Sequence, residues 1–537
     1  MKSKIAGFIL APQPSDYTPA VNPSLIKTVL TGPWGYLTLY STGEDIRPVA
    51  RGVWSMGFPA GDSLMDHNLL ISVTEYGVTV ENDWLGSIPV YFNEKEKIVS
   101  TFPDVCLTKP PETDKEGLYL FLKYGFAALG TTPFKGIYTL RYYSALQYNK
   151  DTLSVTEKED PLQEIDINTP TSENEIWDLL SNRIEDTLDQ TSGPVINPLS
   201  GGYDSRIINA LIPEKHQERN YTYSYGISPV QEKCFESQIA RKVAHKLGVS
   251  WKQIHLSDAF QYTDLWHDLF GYGTHLHGML HIEFFKKILN DLQPEAPGLM
   301  FTGISGSAFQ GGHPPEKEAT RPADIYHLAL THELNARSLL PDFETEAESK
   351  FFEQNRSLLK NPKWYPVMTM RIKMNLLHYL YKVPASMGIP SSSPYHDFEI
   401  ARRMLSLPEK RRQNRTWVTD FFKKKDLHFG SRSLYGDTRN TLNRQLFRNA
   451  VYQPLTPEIW SNYGKDLINP EQIRQINQRL AATGARAESF RHFLTTQRVV
   501  KEILKKAGLT NTFTRDYSWW ATLKAIEKSI TTKNNRK

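Results

Sequence analysis

The stretch PLSGGYDSR, residues 198–206, lies between apolar VIN (195–197) and helix-like IINALI (207–212). A strand that passes through Ser200, Gly201 and Gly202 into a helix starting near Asp204 gathers backbone N–H groups and the positive end of a helix dipole at one point. That point is an anion site. The glycines let a ligand approach the backbone, and Ser200 and Ser205 add hydroxyl donors. Asp204 would repel a phosphate unless a divalent cation lay between them, so the composition implies an oxygen-coordinated Mg2+. The same residues also read as a plain strand-to-helix turn with Asp204 and Ser205 as capping groups. The Lys of a GxxxxGK[ST] loop is missing here, and it is missing too from GFAALGTT (125–132).

Around this loop the texture alternates between strand and helix. VINPLS, YTYSYG (221–226), WKQIHL (251–256) and LMFTG (299–303) read as short buried strands. Between the second and third, Phe235, Ile239, Val243 and Leu247 recur at four-residue intervals and Gly248 supplies the stop. This predicts βαβ units around a parallel sheet, with a mainly helical chain after about residue 320. The first part differs. GYLTLYS, LLISVTE, GVTVEN, IPVYFN and KIVSTF, between residues 35 and 102, predict an antiparallel β domain of hairpins, followed by a helix over 115–124. The acidic stretch 157–174 has no core periodicity. The expected division is a β domain at 1–160, a linker at 161–174 and an α/β domain at 175–537.

A chain of 537 residues with 39% hydrophobic content is long enough for more than one core. Its net charge of +4 is too small to argue for a polyanionic partner. The two cysteines, Cys106 and Cys234, have neither CxxC nor zinc-ligand spacing, which fits a reducing cytoplasmic setting. No apolar run spans a bilayer, and Ile5 to Ala11 reads as a first strand rather than a signal peptide.

SGGYDS resembles the SGGxDS pyrophosphate loop of the PP-loop ATP pyrophosphatases, and specifically of the asparagine synthetase family. Other segments are similar to that family in the same order. DWLGSIPVYF (83–92) resembles its glutaminase-domain motif D-x-x-G-x-x-P-L-Y-Y, and YGFAALGTTPFKGIYTL (124–140) the close of that domain. YTYSYG and ESQIARKVAHKLG (236–248) resemble its second synthetase strand and helix, and SPYHDFEIARRMLSLP (393–408) its PFLD segment. The resemblance implies an Ntn-type β domain followed by a PP-loop α/β domain. It also implies ATP and Mg2+ as cofactors and an amide-forming reaction through an acyl-adenylate. Leu199, Ser200, Gly201, Gly202, Asp204, Ser205, Ser224 and Gly303 would then hold ATP and pyrophosphate, with Asp204 on the metal. His275, His277, Ser307 and Asp397 would contact substrate.

Three departures modify that expectation. The family's glutaminase nucleophile is a cysteine at position 2, where this chain has Lys2, so the β domain is expected to lack glutaminase activity. The family's G-E-G-x-D-E-x-x-G-G reads GISGSAFQGG (303–312), which places Ser307 at the second metal-binding Asp. Its Glu-x-Arg ahead of PFLD is replaced by Pro390 and Ser392. Arg415 is the candidate for the family's catalytic lysine, with Lys423, Lys424 and Lys425 nearby. The expected substrate is therefore a specialised small-molecule or peptide carboxylate that yields a lactam, macrolactam or other amide. The alternative is a catalytically degenerate scaffold that binds a nucleotide or a partner.

The remaining signals are weaker. GTHLHGMLH (273–281) places His275, His277 and His281 close enough to raise a metal site, although substrate contact is the stronger reading. The basic run 409–432 reads as a solvated helix face or a pyrophosphate neutraliser before it reads as a nucleic-acid surface. GISGS is not GxSxG, so a serine hydrolase has little support.

Overall fold

The computed structural model describes residues 5–22, 24–41, 52–57, 68–226, 229–293, 298–312, 318–329, 334–429, 452–482 and 512–535. Lys2 and residues 430–432 of the basic run lie outside these.

The first part carries strands β1 (Ile5–Ala11), β2 (Ile26–Gly32), β3 (Gly35–Ser41), β4 (Gly52–Gly57), β5 (Asn68–Val73) and β6 (Val78–Asn82). These are followed by β7 (Tyr91–Asn93), β8 (Ile98–Ser100), β9 (Ile137–Thr139), β10 (Ser144–Tyr148) and β11 (Leu153–Glu157). They form two sheets, β2-β3-β1-β8-β7-β9 and β11-β10-β6-β5-β4, whose pairings are antiparallel. Strand alternation explains why all seven residues of β1 are buried. Phe8 and Leu10 join the core between the two sheets, whereas Ile9 and Ala11 join a larger core that continues into the second part of the chain. The first sheet is thus covered on both faces.

Helix α1 (Lys115–Tyr124) begins where the Asp114 carboxylate accepts the Gly117 N–H at 2.7 Å and ends at Gly125, whose φ of +83° suits a left-handed cap. At its end, Lys123 donates to both Glu348 carboxylate oxygens at 2.8 Å, and the Tyr124 and Thr345 hydroxyls donate to the same carboxylate. Both charges are buried, which makes this pair costly to break on one side. Glu348→Ala is expected to destabilise the protein by roughly 3–5 kcal/mol. Urea unfolding would measure this, and a loss below ~1 kcal/mol would mean that Lys123 finds water instead.

In the second part, β12 (Val195–Pro198), β13 (Asn220–Gly226), β14 (Ser250–His255), β15 (Leu299–Phe301) and β16 (Ser391–Ser392) form one parallel sheet in the order β14-β13-β12-β15-β16. Helices α2 (Glu173–Leu188), α3 (Tyr203–Leu211), α4 (Phe235–Leu247), α5 (Thr263–Phe270) and α6 (Met279–Leu292) connect and cover it. Gly248 ends α4 at φ +70°, as its position predicts. The short helix α7 (Gly306–Phe309) follows β15. Downstream elements are mainly helical, ending in Thr512–Asn535. The acidic stretch before α2 is anchored, because Asp160 caps a 3-10 turn and pairs with the Arg371 guanidinium. Among the described residues, no helix is long and apolar enough to cross a membrane.

Candidate functional site

The parallel sheet grows outward in both directions from β12. The chain leaves β12 for β13 on one side and reaches β15 on the other, so the carboxyl ends of β12 and β15 flank a topological switch point. Open α/β sheets bind ligands there. The loop after β12 is Leu199 to Gly202, and the loop after β15 is Thr302 to Ser305.

The first loop is held from within. The Ser200 N–H donates to Ser205 Oγ at 3.1 Å, and the Gly202 N–H to Ser200 Oγ at 3.1 Å. Arg206, buried against the rings of Tyr203 and Phe422, donates to the Gly201 carbonyl at 2.7 Å. A Cβ at Gly201 would lie 2.8 Å from Glu236 Cα on α4, so only glycine fits. Gly202 is the N-cap of α3 and supplies no capping side chain, which leaves the helix's first N–H groups facing the loop. Leu199 is buried, its carbonyl accepts the Ser224 hydroxyl, and Ser224 in turn accepts the Trp251 indole N–H at 3.0 Å.

Asp204 projects toward the second loop. A Cβ at Gly303 would lie 2.9 Å from Asp204 Cβ, and one at Gly306 would lie 2.9 Å from both Asp204 Cγ and a Tyr395 ring carbon. The Tyr395 hydroxyl donates to the Asp204 carbonyl at 2.8 Å. Solvent reaches 23% of the Asp204 side chain, yet Oδ1 is buried and has no hydrogen-bond partner. Burial pushes the carboxyl up to about 6, against the Arg415 guanidinium, the Ser307 backbone N–H and the Gln310 amide, which favour the charged form.

The sign of the linkage follows. The raised carboxyl stabilises the fold while protonated, below the ordinary range near pH 4, and that contribution is lost as pH rises through 6. Asp204→Asn is therefore expected to gain roughly 1–3 kcal/mol of stability over wild type at pH 7 relative to pH 4. Paired urea curves at the two pH values would measure it, and equal differences would mean that the carboxylate is fully solvated.

Arg415 is brought to this site from far along the chain. Asn414 and Arg415 both take φ of +55°, a sharp turn ahead of helix Thr416–Lys424. That turn lays the guanidinium 4.7 Å from the Tyr203 ring centre and 3.5 Å from Asp204 Oδ1. Gly312 permits this, since a Cβ there would lie 3.0 Å from Arg415 Nε. The rest of the basic run is partly neutralised: Arg411 pairs with Glu173 and Asp420, and Lys423 with Asp420.

The sequence-predicted residues therefore separate into groups. Leu199 to Ser205, Ser224, Gly303, Ser307 and Arg415 are gathered around the switch point. Asp397 caps helix Phe398–Ser406 by accepting the Ile400 N–H at 3.1 Å, and it also pairs with Arg183 of α2. His275 and His277 lie between α5 and α6, where His275 Nδ1 accepts the His277 N–H and His277 Nδ1 shares a 2.9 Å hydrogen bond with the Tyr517 hydroxyl. His281 stacks on Tyr379. Tyr395 and Gln310 touch Asp204, and no motif in the sequence marks either as a site residue. Gln310 is fully buried beside Asp204, a placement that no local pattern signals.

Mg2+ ordinarily takes one or two carboxylates and completes its shell with phosphate oxygens and water. One buried carboxylate, whose Oδ1 carries no hydrogen bond and faces the Arg415 guanidinium at 3.5 Å, fits a Mg2+ that arrives with a nucleotide. Among the described residues, no group of three or more His, Cys, Asp or Glu could hold a metal ion.

Residues 175–416 match the family model for asparagine synthase, a span that runs from α2 through Arg415. No curated protein matches the chain.

Proposed function

We propose that this chain, whose residues 175–416 match the family model for asparagine synthase, is an ATP-dependent amide-forming ligase that adenylates a carboxylate and joins it to an amine. The observation that carries the reading is the cradle at the end of β12, with the Asp204 carboxylate and the Arg415 guanidinium at its rim. The substrate carboxylate attacks the α-phosphorus of ATP, and pyrophosphate leaves toward the Ser200–Ser205 loop. There the α3 N–H groups and the Ser200 and Ser205 hydroxyls receive its oxygens. Arg415 places a fixed positive charge where charge builds on the leaving group. Asp204 would hold Mg2+, and the ion would supply further charge neutralisation. The amine then displaces AMP from the acyl-adenylate, and holding both partners in one crevice makes that step effectively intramolecular.

The amine belongs to the substrate in this proposal and is not drawn from glutamine. Neither cysteine suits glutamine hydrolysis, because both are buried and burial pushes the Cys106 thiol far up, which keeps it protonated. The product is a lactam, macrolactam or other amide. A second reading, a nucleotide-binding scaffold without chemistry, draws on the neutral Ser307 beside Asp204 and on Pro390 and Ser392. Titration calorimetry with ATP, with and without Mg2+, followed by a pyrophosphate-release screen over carboxylates, separates the two. Mg2+-dependent binding with release supports the ligase. Binding with no release across amino-acid and peptide carboxylates supports the scaffold, and no binding by the folded protein removes the nucleotide from both readings.

A further inference from the structure

The loop after β15 rests on Asp204 with no room to spare, since missing Cβ atoms at Gly303 and Gly306 are all that separates them. Close-packed interiors transmit such positions rigidly, so whatever fixes this turn also fixes the carboxylate. The turn does not hold itself. Ser305 sits at φ +68° and ψ −14°, a left-handed conformation that costs a non-glycine residue of order 1–3 kcal/mol. Its hydroxyl shares a 2.6 Å hydrogen bond with His396 Nε2, and the Ser393 hydroxyl donates to the neighbouring Ile304 carbonyl at 3.1 Å.

His396 is itself buried and held at two points. Its Nδ1 lies 2.8 Å from the Tyr381 hydroxyl, and its carbonyl accepts the indole N–H of Trp84 at 3.0 Å. Trp84 belongs to the β domain. It lies on a tight turn after β6 where the Asp83 carboxylate accepts the Leu85 and Ser87 N–H groups at 3.1 and 2.8 Å, and Gly86 takes φ +66°. The indole is fully buried in the other domain, stacked on Phe309 of α7 with centroids 6.1 Å apart and edge-on to Phe398 at 5.1 Å. Its own carbonyl accepts Arg371 Nε at 3.0 Å. One side chain of the β domain therefore braces both the residue that holds Ser305 and the helix that Ser305 begins.

We propose that the β domain is a working part of the nucleotide site, with Trp84, His396 and Ser305 as positioning residues that hold the Gly303–Gly306 turn against Asp204. The inference rests on the ligase reading of the loop. It assigns the β domain a role that needs no glutaminase chemistry, and it predicts that stability and nucleotide affinity come apart in a particular way.

Ser305→Gly removes the hydroxyl and also relieves the left-handed strain, so its Tm is expected to equal or exceed that of wild type. Its affinity for MgATP is nevertheless expected to fall about tenfold, a fraction of the ~10²-fold that a misplacement of about 1 Å can cost in rate. Trp84→Phe keeps a ring but loses the N–H donor, and a similar loss is expected. The double variant should lose less than the product of the two, since both act along one path. Calorimetry with MgATP and thermal unfolding of the four full-length proteins provide the test. Wild-type binding with unchanged affinity in Ser305→Gly, or strictly multiplicative losses, overturns the inference alone. A wild type that binds no MgATP overturns the ligase reading and the inference together.

Discussion

Asp204→Ala is expected to abolish Mg2+-dependent ATP binding and with it pyrophosphate release, a loss of at least ~100-fold on the scale of single electrostatic groups in catalysis. Three features of the site converge on this side chain. It stands on the first turn of α3, its Oδ1 is buried without a hydrogen bond, and both glycines of the facing loop approach it too closely for a Cβ. A buried carboxylate is costly to the fold, and the Arg415 guanidinium at 3.5 Å offsets part of that cost. The same variant should fold at least as stably as wild type at pH 7, because a desolvated charge is removed. Calorimetry beside urea unfolding checks both halves. Wild-type affinity in Asp204→Ala would take the carboxylate out of the site.

Arg415→Ala is expected to lower turnover by about 10²–10³ with a smaller effect on ATP affinity, since it would remove positive charge from the developing pyrophosphate. Arg415→Lys tests geometry. The guanidinium lies near the Tyr203 ring and reaches Asp204 from a left-handed backbone, and a lysine keeps the charge without the planar fork. Partial recovery by Lys would point to charge as the main contribution. Recovery no better than Ala would point to orientation. The readout is steady-state pyrophosphate release with a carboxylate found in the screen, and unchanged kcat in both variants would leave Arg415 as a structural partner of Asp204 only.

Much of this site is legible in the sequence because it is local. The loop from Leu199 to Ser205 is continuous, so its glycines, hydroxyls and carboxylate announce an anion cradle wherever the fold places them. The helical interval of α4 and its Gly248 stop, and the alternating first strands, are likewise local statements about which face is buried. Asp397 shows the limit of that kind of reading. Its place in a family motif implies substrate contact, whereas in the fold its carboxylate caps a helix and pairs with Arg183, 214 positions away.

The chain's own pattern of apolar spacing and turn residues was enough to determine two unlike halves, a parallel sheet in the second, and a glycine turn from its first strand into a helix. Periods of 2 and 3.6 residues are properties of neighbouring residues, and neighbours suffice to express them. Tertiary structure alone decided that β12 and β15 form the switch point and that Arg415 meets Asp204. It alone set the indole of Trp84 against Phe309 of α7 and the His396 carbonyl. These are contacts between segments tens to hundreds of residues apart, selected by which buried faces and polar groups can be satisfied together, and no local interval encodes that choice.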